Sequence, residues 1–191
     1  MPKNATVLLI RHGEKPASGS GLTAAGRERA LAYCGFFTNF PPGGTPTTID
    51  HVFAAQNSSA SCRPQLTVLP VAAALGLPIH DEVADEDYAT LAKEILGAKD
   101  KYDDATILVC WHHEHALLLA GSLGVTPADL PAAANWPSSW PGGPPPAGTP
   151  DVYGWVLVIV FDGNGDVDTS KTCCISTQLM YDDNGQEPPN G

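Results

Sequence analysis

A chain of 191 residues, 43% hydrophobic and 16% charged, has the composition of one globular domain able to bury a sizeable core, and this excludes a disordered polymer. A formal net charge of -11, with no Lys/Arg run, excludes a general nucleic-acid binder. An anionic ligand must therefore be held by a few local cations against an unfavourable overall field.

Residues 6–10 read as a buried strand whose apolar run ends abruptly in Arg11-His12-Gly13-Glu14. A central strand of a parallel sheet delivers side chains in this way to its carboxyl edge, where open α/β folds hold ligands. The arginine fork matches phosphate oxygens. The histidine serves as a nucleophile or an acid–base group near neutral pH. The glycine permits a sharp turn and close backbone approach.

Residues 15–21 form a Pro/Gly/Ser loop. Thr23 is a plausible N-cap for a helix over 24–37, in which Leu31, Cys34 and Phe37 recur at helical spacing. Residues 40–48 are loop, and 49–54 a second strand. Ser58-Ser59-Ala60-Ser61-Cys62-Arg63 then occupies a strand-to-helix junction before an apolar helix over 65–75, stopped by Gly76. Leu77-Pro78-Ile79 is a short extended piece, 81–87 an acidic patch and 88–96 a helix. Residues 106–111 form a third strand that runs directly into His112-His113-Glu114-His115 and an apolar helix over 116–123.

Residues 126–150 are rich in proline, glycine and tryptophan. They read as a surface excursion, because the chain beyond them is too short to fold alone. A strand over 153–161, a turn at 162–166 and an apolar segment at 174–180 follow, and 182–191 is expected to be disordered. The alternation predicts a single α/β domain over 1–181, three layers (α/β/α) around a mainly parallel sheet. Three strand-to-helix junctions carry arginine or histidine side chains.

Five cysteines (34, 62, 110, 173 and 174), odd in number and irregular in spacing, fit cytosolic thiols better than a disulfide framework. The amino terminus has no signal-peptide pattern, and no apolar run approaches the roughly 20 residues of a membrane span. A cytoplasmic protein without a membrane partner is expected. Oligomeric state is not legible.

The ordered motifs resemble the histidine phosphatase (phosphoglycerate mutase-like) superfamily in its RHG-motif branch. Arg11-His12-Gly13-Glu14 matches the RHG signature. Leu22-Thr23, Gly26 and Arg29-Ala30 match the "LT..G..RA" pattern, and Ser58-Ser59, Arg63 and Thr67 the "SS...R...T" stretch. The resemblance covers most of residues 6–125. It implies a phosphoglycerate mutase-like fold and a phosphomonoesterase without metal or cofactor, acting on a small phosphorylated molecule or a phosphoprotein.

His12 would be the nucleophile and carry a transient phosphohistidine. Arg11 and Arg63 would hold the non-bridging oxygens. The N–H groups of the helix after the second histidine would point at the phosphate. A histidine directly after the strand selects His112. The "CWEHG" form of some relatives selects His113, which Cys110-Trp111 favours. Glu82, Glu86 and Glu114 are candidate proton donors, none singled out.

Rival chemistries fit less well. The 112–115 cluster lacks the i, i+4 histidine spacing of HExxH zinc helices. Residues 162–168 begin like an EF-hand loop but have Val167 at its glycine position and Cys173 at its glutamate position. Six positions beyond Cys62 and Cys110 stand Val68 and Ala116, where a cysteine phosphatase needs arginine. A phosphate-binding or phosphoprotein-binding module without turnover, and a phosphoglycerate-type mutase, are the alternatives.

Overall fold

The six-residue runs TVLLIR and TILVCW are β-branched and leucine-rich, with no polar alternation, as strands covered on both faces require. In the computed structural model, which describes residues 1–40, 47–98, 100–126, 153–177, 179 and 180, they lie side by side at the centre of the sheet. The first is β1 (Thr6–Arg11) and the second β4 (Thr106–Trp111). They pair in parallel, in register from Thr6 opposite Thr106 to Arg11 opposite Trp111.

On the other side of β4, β2 (His51–Ala54) is also parallel and is followed at the edge by β3 (Ile79–His80). β5 (Trp155–Val160) runs antiparallel beside β1, and β6 (Cys173–Ser176) antiparallel beside β5. The order is β3-β2-β4-β1-β5-β6, a mainly parallel sheet as expected.

Successive side chains of a strand point to opposite faces. Leu8, Ile10, Val52, Leu108 and Cys110 meet Tyr33 and Phe37 of α1 (Ala24–Phe37) and Val68 and Val71 of α2 (Arg63–Leu75). Val7, Leu9, Ile107 and Val109 meet Leu91 and Ile95 of α3 (Tyr88–Gly97) and Ala116 and Leu119 of α4 (His113–Ser122). Helices therefore cover both faces.

Boundaries shift where the cap carries no side-chain signal. α1 begins as expected, because Thr23 Oγ1 accepts from Gly26 N at 3.0 Å. α2 begins at Arg63 rather than 65. Pro64 sits in its first turn, where a missing N–H costs nothing. α4 begins at His113 rather than 116: the extended His112 is its N-cap and accepts from His115 N and Ala116 N through its carbonyl. β2 and β5 are shorter than expected. Residues 127–150 of the expected excursion, the tail 182–191 and residues 41–46 of the first long loop lie outside the described residues. No helix among the described residues is long and apolar enough to cross a membrane.

Two glycines let the turn after β1 press onto the start of α1. A Cβ on Gly13 would stand 2.9 Å from Gly26 O, and one on Gly26 2.8 Å from Glu14 O. Both obstacles are backbone, which cannot swing away. Gly26→Ala is accordingly expected to cost about 2 kcal/mol of folding stability, as overpacking does. An unchanged midpoint in urea unfolding would show that this approach is not needed.

Candidate active site

The β1/β4 register decides what stands at the sheet edge. With Arg11 opposite Trp111, the next residues of the two strands, His12 and His112, leave the sheet at the same level. His12 N donates to Trp111 O at 3.2 Å. The two rings meet edge to face, their centroids 4.9 Å apart.

His12 is 1% exposed. Its Nδ1 lies 2.7 Å from Gly13 O, which can only accept, so Nδ1 carries the proton and Nε2 the lone pair. Nε2 has no hydrogen-bond partner among the described residues. Burial holds the ring pKa down at about 2. The Gly13 bond pulls it upward, and His112, Arg11 and Arg63 push it further down. At neutral pH His12 is an uncharged imidazole with a free ring nitrogen.

This depressed value has a consequence for stability. Between about 6.5 and 2 the unfolded histidine holds a proton that the folded one refuses, so unfolding takes up a proton. Stability from this group is whole above about pH 6.5 and falls with acid by up to about 1.4 kcal/mol per pH unit. His12→Gln is expected to flatten the loss of unfolding free energy between about pH 6 and 4. Parallel curves for the two proteins would contradict it.

Arg63, 5% exposed, is the first residue of α2. Its Nη1 makes only long contacts, to the carbonyls of Gly19 (3.5 Å), Ser20 (3.4 Å) and Ala60 (3.4 Å). Its buried Nε has no hydrogen-bond partner among the described residues. Thr67, one turn on, ties this helix to the His12 turn: its hydroxyl accepts from Gly13 N and donates to Arg63 O, both at 2.8 Å.

These side chains border a cleft of about 370 Å³ at the carboxyl ends of the parallel strands. His12, Lys15, Gln56, Asn57, Ser58 and Arg63 form one part of its wall. Asp85, Glu86, His112, His113 and Glu114 line it as well. Burial lowers the His112 pKa, Asp85 opposes that shift, and Arg63 and His113 add to it.

Neither family models nor curated proteins match this sequence. Among solved structures, phosphoglycerate mutase from Plasmodium falciparum superposes with a TM-score of 0.53 at 10% identity, over 99% of this chain and 96% of that one. The fold is that of phosphoglycerate mutase. The protein histidine phosphatase SixA, solved with tungstate, is 23% identical over 85% of this chain and 92% of its own, with a TM-score of 0.48.

Within the phosphoglycerate mutase fold of this chain, the residues singled out by motif are distributed unequally. His12 and Arg63 line the cleft. Arg11, 3% exposed, packs its guanidinium carbon 4.1 Å from the centre of the Tyr153 ring, and its charge helps hold the His12 pKa down. His113, which the Cys110-Trp111 spacing favours, lines the cleft as the first residue of α4, whereas strand register seats His112 against His12. Glu86 and Glu114 line the cleft. Glu82 stands beside His80 with its side chain 74% exposed, outside the lining.

Asp85 is the residue that motif reasoning missed. It sits in a single 3₁₀ turn ahead of α3, and Trp111 Nε1 donates to its carbonyl at 3.0 Å. His115 Nδ1 holds its Oδ2 at 2.7 Å and stacks on Tyr88. Its Oδ1 is buried without a hydrogen-bond partner among the described residues. No sequence signal joins positions 85 and 115, which meet only through packing of α4 beside this turn. Since His115 faces Asp85 and His112 faces His12, the histidines of the cluster do not converge. Among the described residues no group of three or more His, Cys, Asp or Glu side chains is placed to hold a metal ion.

Proposed function

We propose that this chain is a phosphomonoesterase of the histidine phosphatase superfamily that works through a phosphohistidine on His12. The observation that carries the reading is His12 itself: a buried neutral imidazole, Nδ1 committed to Gly13 O, with Nε2 free beside His112 in a cleft that Arg63 lines.

In the first step His12 Nε2 forms a bond to phosphorus and the bond to the leaving oxygen breaks. The Arg63 guanidinium and the His112 ring donate to the non-bridging oxygens, where charge collects. Arg11 supports them electrostatically. The first-turn N–H groups of α4, which has no side-chain N-cap bond, add positive partial charge. His112 takes the second histidine's role in this scheme because it, and not His113, is the ring stacked edge to face on His12.

Asp85 gives its proton to the departing alkoxide, which leaves as the alcohol. In the second step a water attacks phosphorus, its proton returns to Asp85, and the N–P bond breaks to release inorganic phosphate. The support for Asp85 over Glu86 and Glu114 is that His115 and Trp111 fix it while Oδ1 stays unpaired. Asp85→Asn is therefore expected to lower kcat on an alkyl phosphate by about 10²-fold, within the range of general acid catalysis. It should lower kcat on p-nitrophenyl phosphate far less, because that leaving group departs without a proton. Equal losses on both substrates would remove Asp85 from the role.

The test of the function itself is hydrolysis of p-nitrophenyl phosphate with and without chelator, combined with alkaline quenching during turnover of a radiolabelled substrate. The expected result is chelator-resistant turnover and an acid-labile, alkali-stable phosphoryl group on His12. Turnover that chelator abolishes, or turnover with no trapped phosphoryl group, would overturn the mechanism. Absence of turnover would favour a phosphate-binding module.

A further inference from the structure

The cleft has two chemically different ends. At the deep end are His12 and Arg63, each at most 5% exposed, and each with an unpartnered ring or guanidinium nitrogen among the described residues. At its exposed end stand two carboxylates, Glu86 and Glu114, against one lysine, Lys15. Asp85 has His115 as its partner. Glu86 and Glu114 are exposed and have no ion-pair partner among the described residues, and neither has Lys15.

Helix starts accommodate carboxylates, so the presence of Glu114 in the first turn of α4 decides nothing by itself. What points to a ligand is the shared cleft. A phosphoryl group drawn onto His12 and Arg63 satisfies the deep cation and leaves whatever is attached to it facing Glu86 and Glu114. The net charge of -11 reinforces the same field. A second anionic group on the substrate would be repelled there, and a positive one attracted.

From this, and resting on the phosphomonoesterase reading above, we infer that the preferred substrate is a phosphate monoester whose alcohol carries an ammonium group, with Glu86 and Glu114 as its specificity-determining residues. The ammonium rests between the two carboxylates at the cleft mouth while the phosphoryl group occupies the His12 end. Glu86 comes from the turn before α3 and Glu114 from α4, so two different elements bring them to the one cleft.

The experiment compares kcat/KM for phosphocholine with that for its neutral isostere, 3,3-dimethylbutyl phosphate, in the wild type and in the Glu86→Gln/Glu114→Gln double variant. His12→Ala serves as the control for route. The ammonium also activates the leaving group inductively, but equally in both proteins, so the readout is the change in the ratio between them. The ratio is expected to be about fivefold higher in the wild type at low salt, the upper range for exposed charge pairs. It should converge on the variant's value at roughly 0.5 M salt. His12-dependent turnover with the same ratio in both proteins would overturn this inference and leave the phosphomonoesterase standing. Absence of His12-dependent turnover on either substrate would overturn both.

Discussion

Replacing His12 with alanine is expected to lower kcat on p-nitrophenyl phosphate by at least about 10⁴-fold, the scale seen when a covalent nucleophile is removed. The backbone anchor of the residue, its N–H on Trp111 O, does not depend on the ring, so β1 and β4 keep their register. Arg63 remains on α2 and His112 remains the N-cap of α4. The variant therefore keeps the phosphate-holding groups and loses only the atom that bonds to phosphorus. The expected signature is split accordingly: turnover and the trapped phosphoryl group vanish, while inorganic phosphate still binds. Near-wild-type kcat in a folded variant would place the chemistry elsewhere in the cleft.

The largest expected effect on stability comes from Arg29, a buried residue of α1. Arg29 is 1% exposed, and its Nε and Nη2 both donate to Glu14 Oε1, at 2.8 and 2.6 Å. Its guanidinium carbon lies 5.6 Å from the centre of the Tyr153 ring, on which Arg11 also packs. Glu14 in turn accepts from Thr23 N through its own carbonyl at 3.0 Å, so the pair pins the turn after His12 to the start of α1.

Removing one member of a buried pair strands the other charge away from water. Arg29→Met is expected to cost about 3 kcal/mol. For a chain of this size that lowers Tm by roughly 10 °C. Adding Glu14→Gln removes the stranded carboxylate, so the double variant should recover more than half of the loss. Recovery of nothing would mean that the aromatic packing of Arg29, rather than its charge, holds the turn. Melting curves of the three proteins at pH 7 decide between them.

Much of the fold was legible because it depends on neighbours in the chain. Apolar runs that end in turn residues, the Thr23 cap and the helical spacing of Leu31, Cys34 and Phe37 report on forces acting over a few residues. The Arg11-His12-Gly13 junction was conspicuous for the same reason, and the close approach of Gly13 and Gly26 accounts for two glycines of the ordered motifs. Where a cap lacks a side-chain signal, as at His112, the apolar pattern alone starts the helix three residues late.

The sequence by itself determined the α/β class, the mainly parallel sheet, and the arginine and histidine residues at three strand ends, since local periodicity and short motifs encode them. Only the tertiary structure decided which of these groups meet. The register of β1 on β4 puts His112 rather than His113 against the His12 ring. Tyr153, from the far side of the chain, packs its ring against the Arg11 guanidinium. The packing of α4 beside the Asp85 turn makes a His115–Asp85 pair across 30 positions of sequence. A one-residue change of register or of helix start would alter each of these meetings while leaving every local pattern intact, which is why no local pattern reveals them.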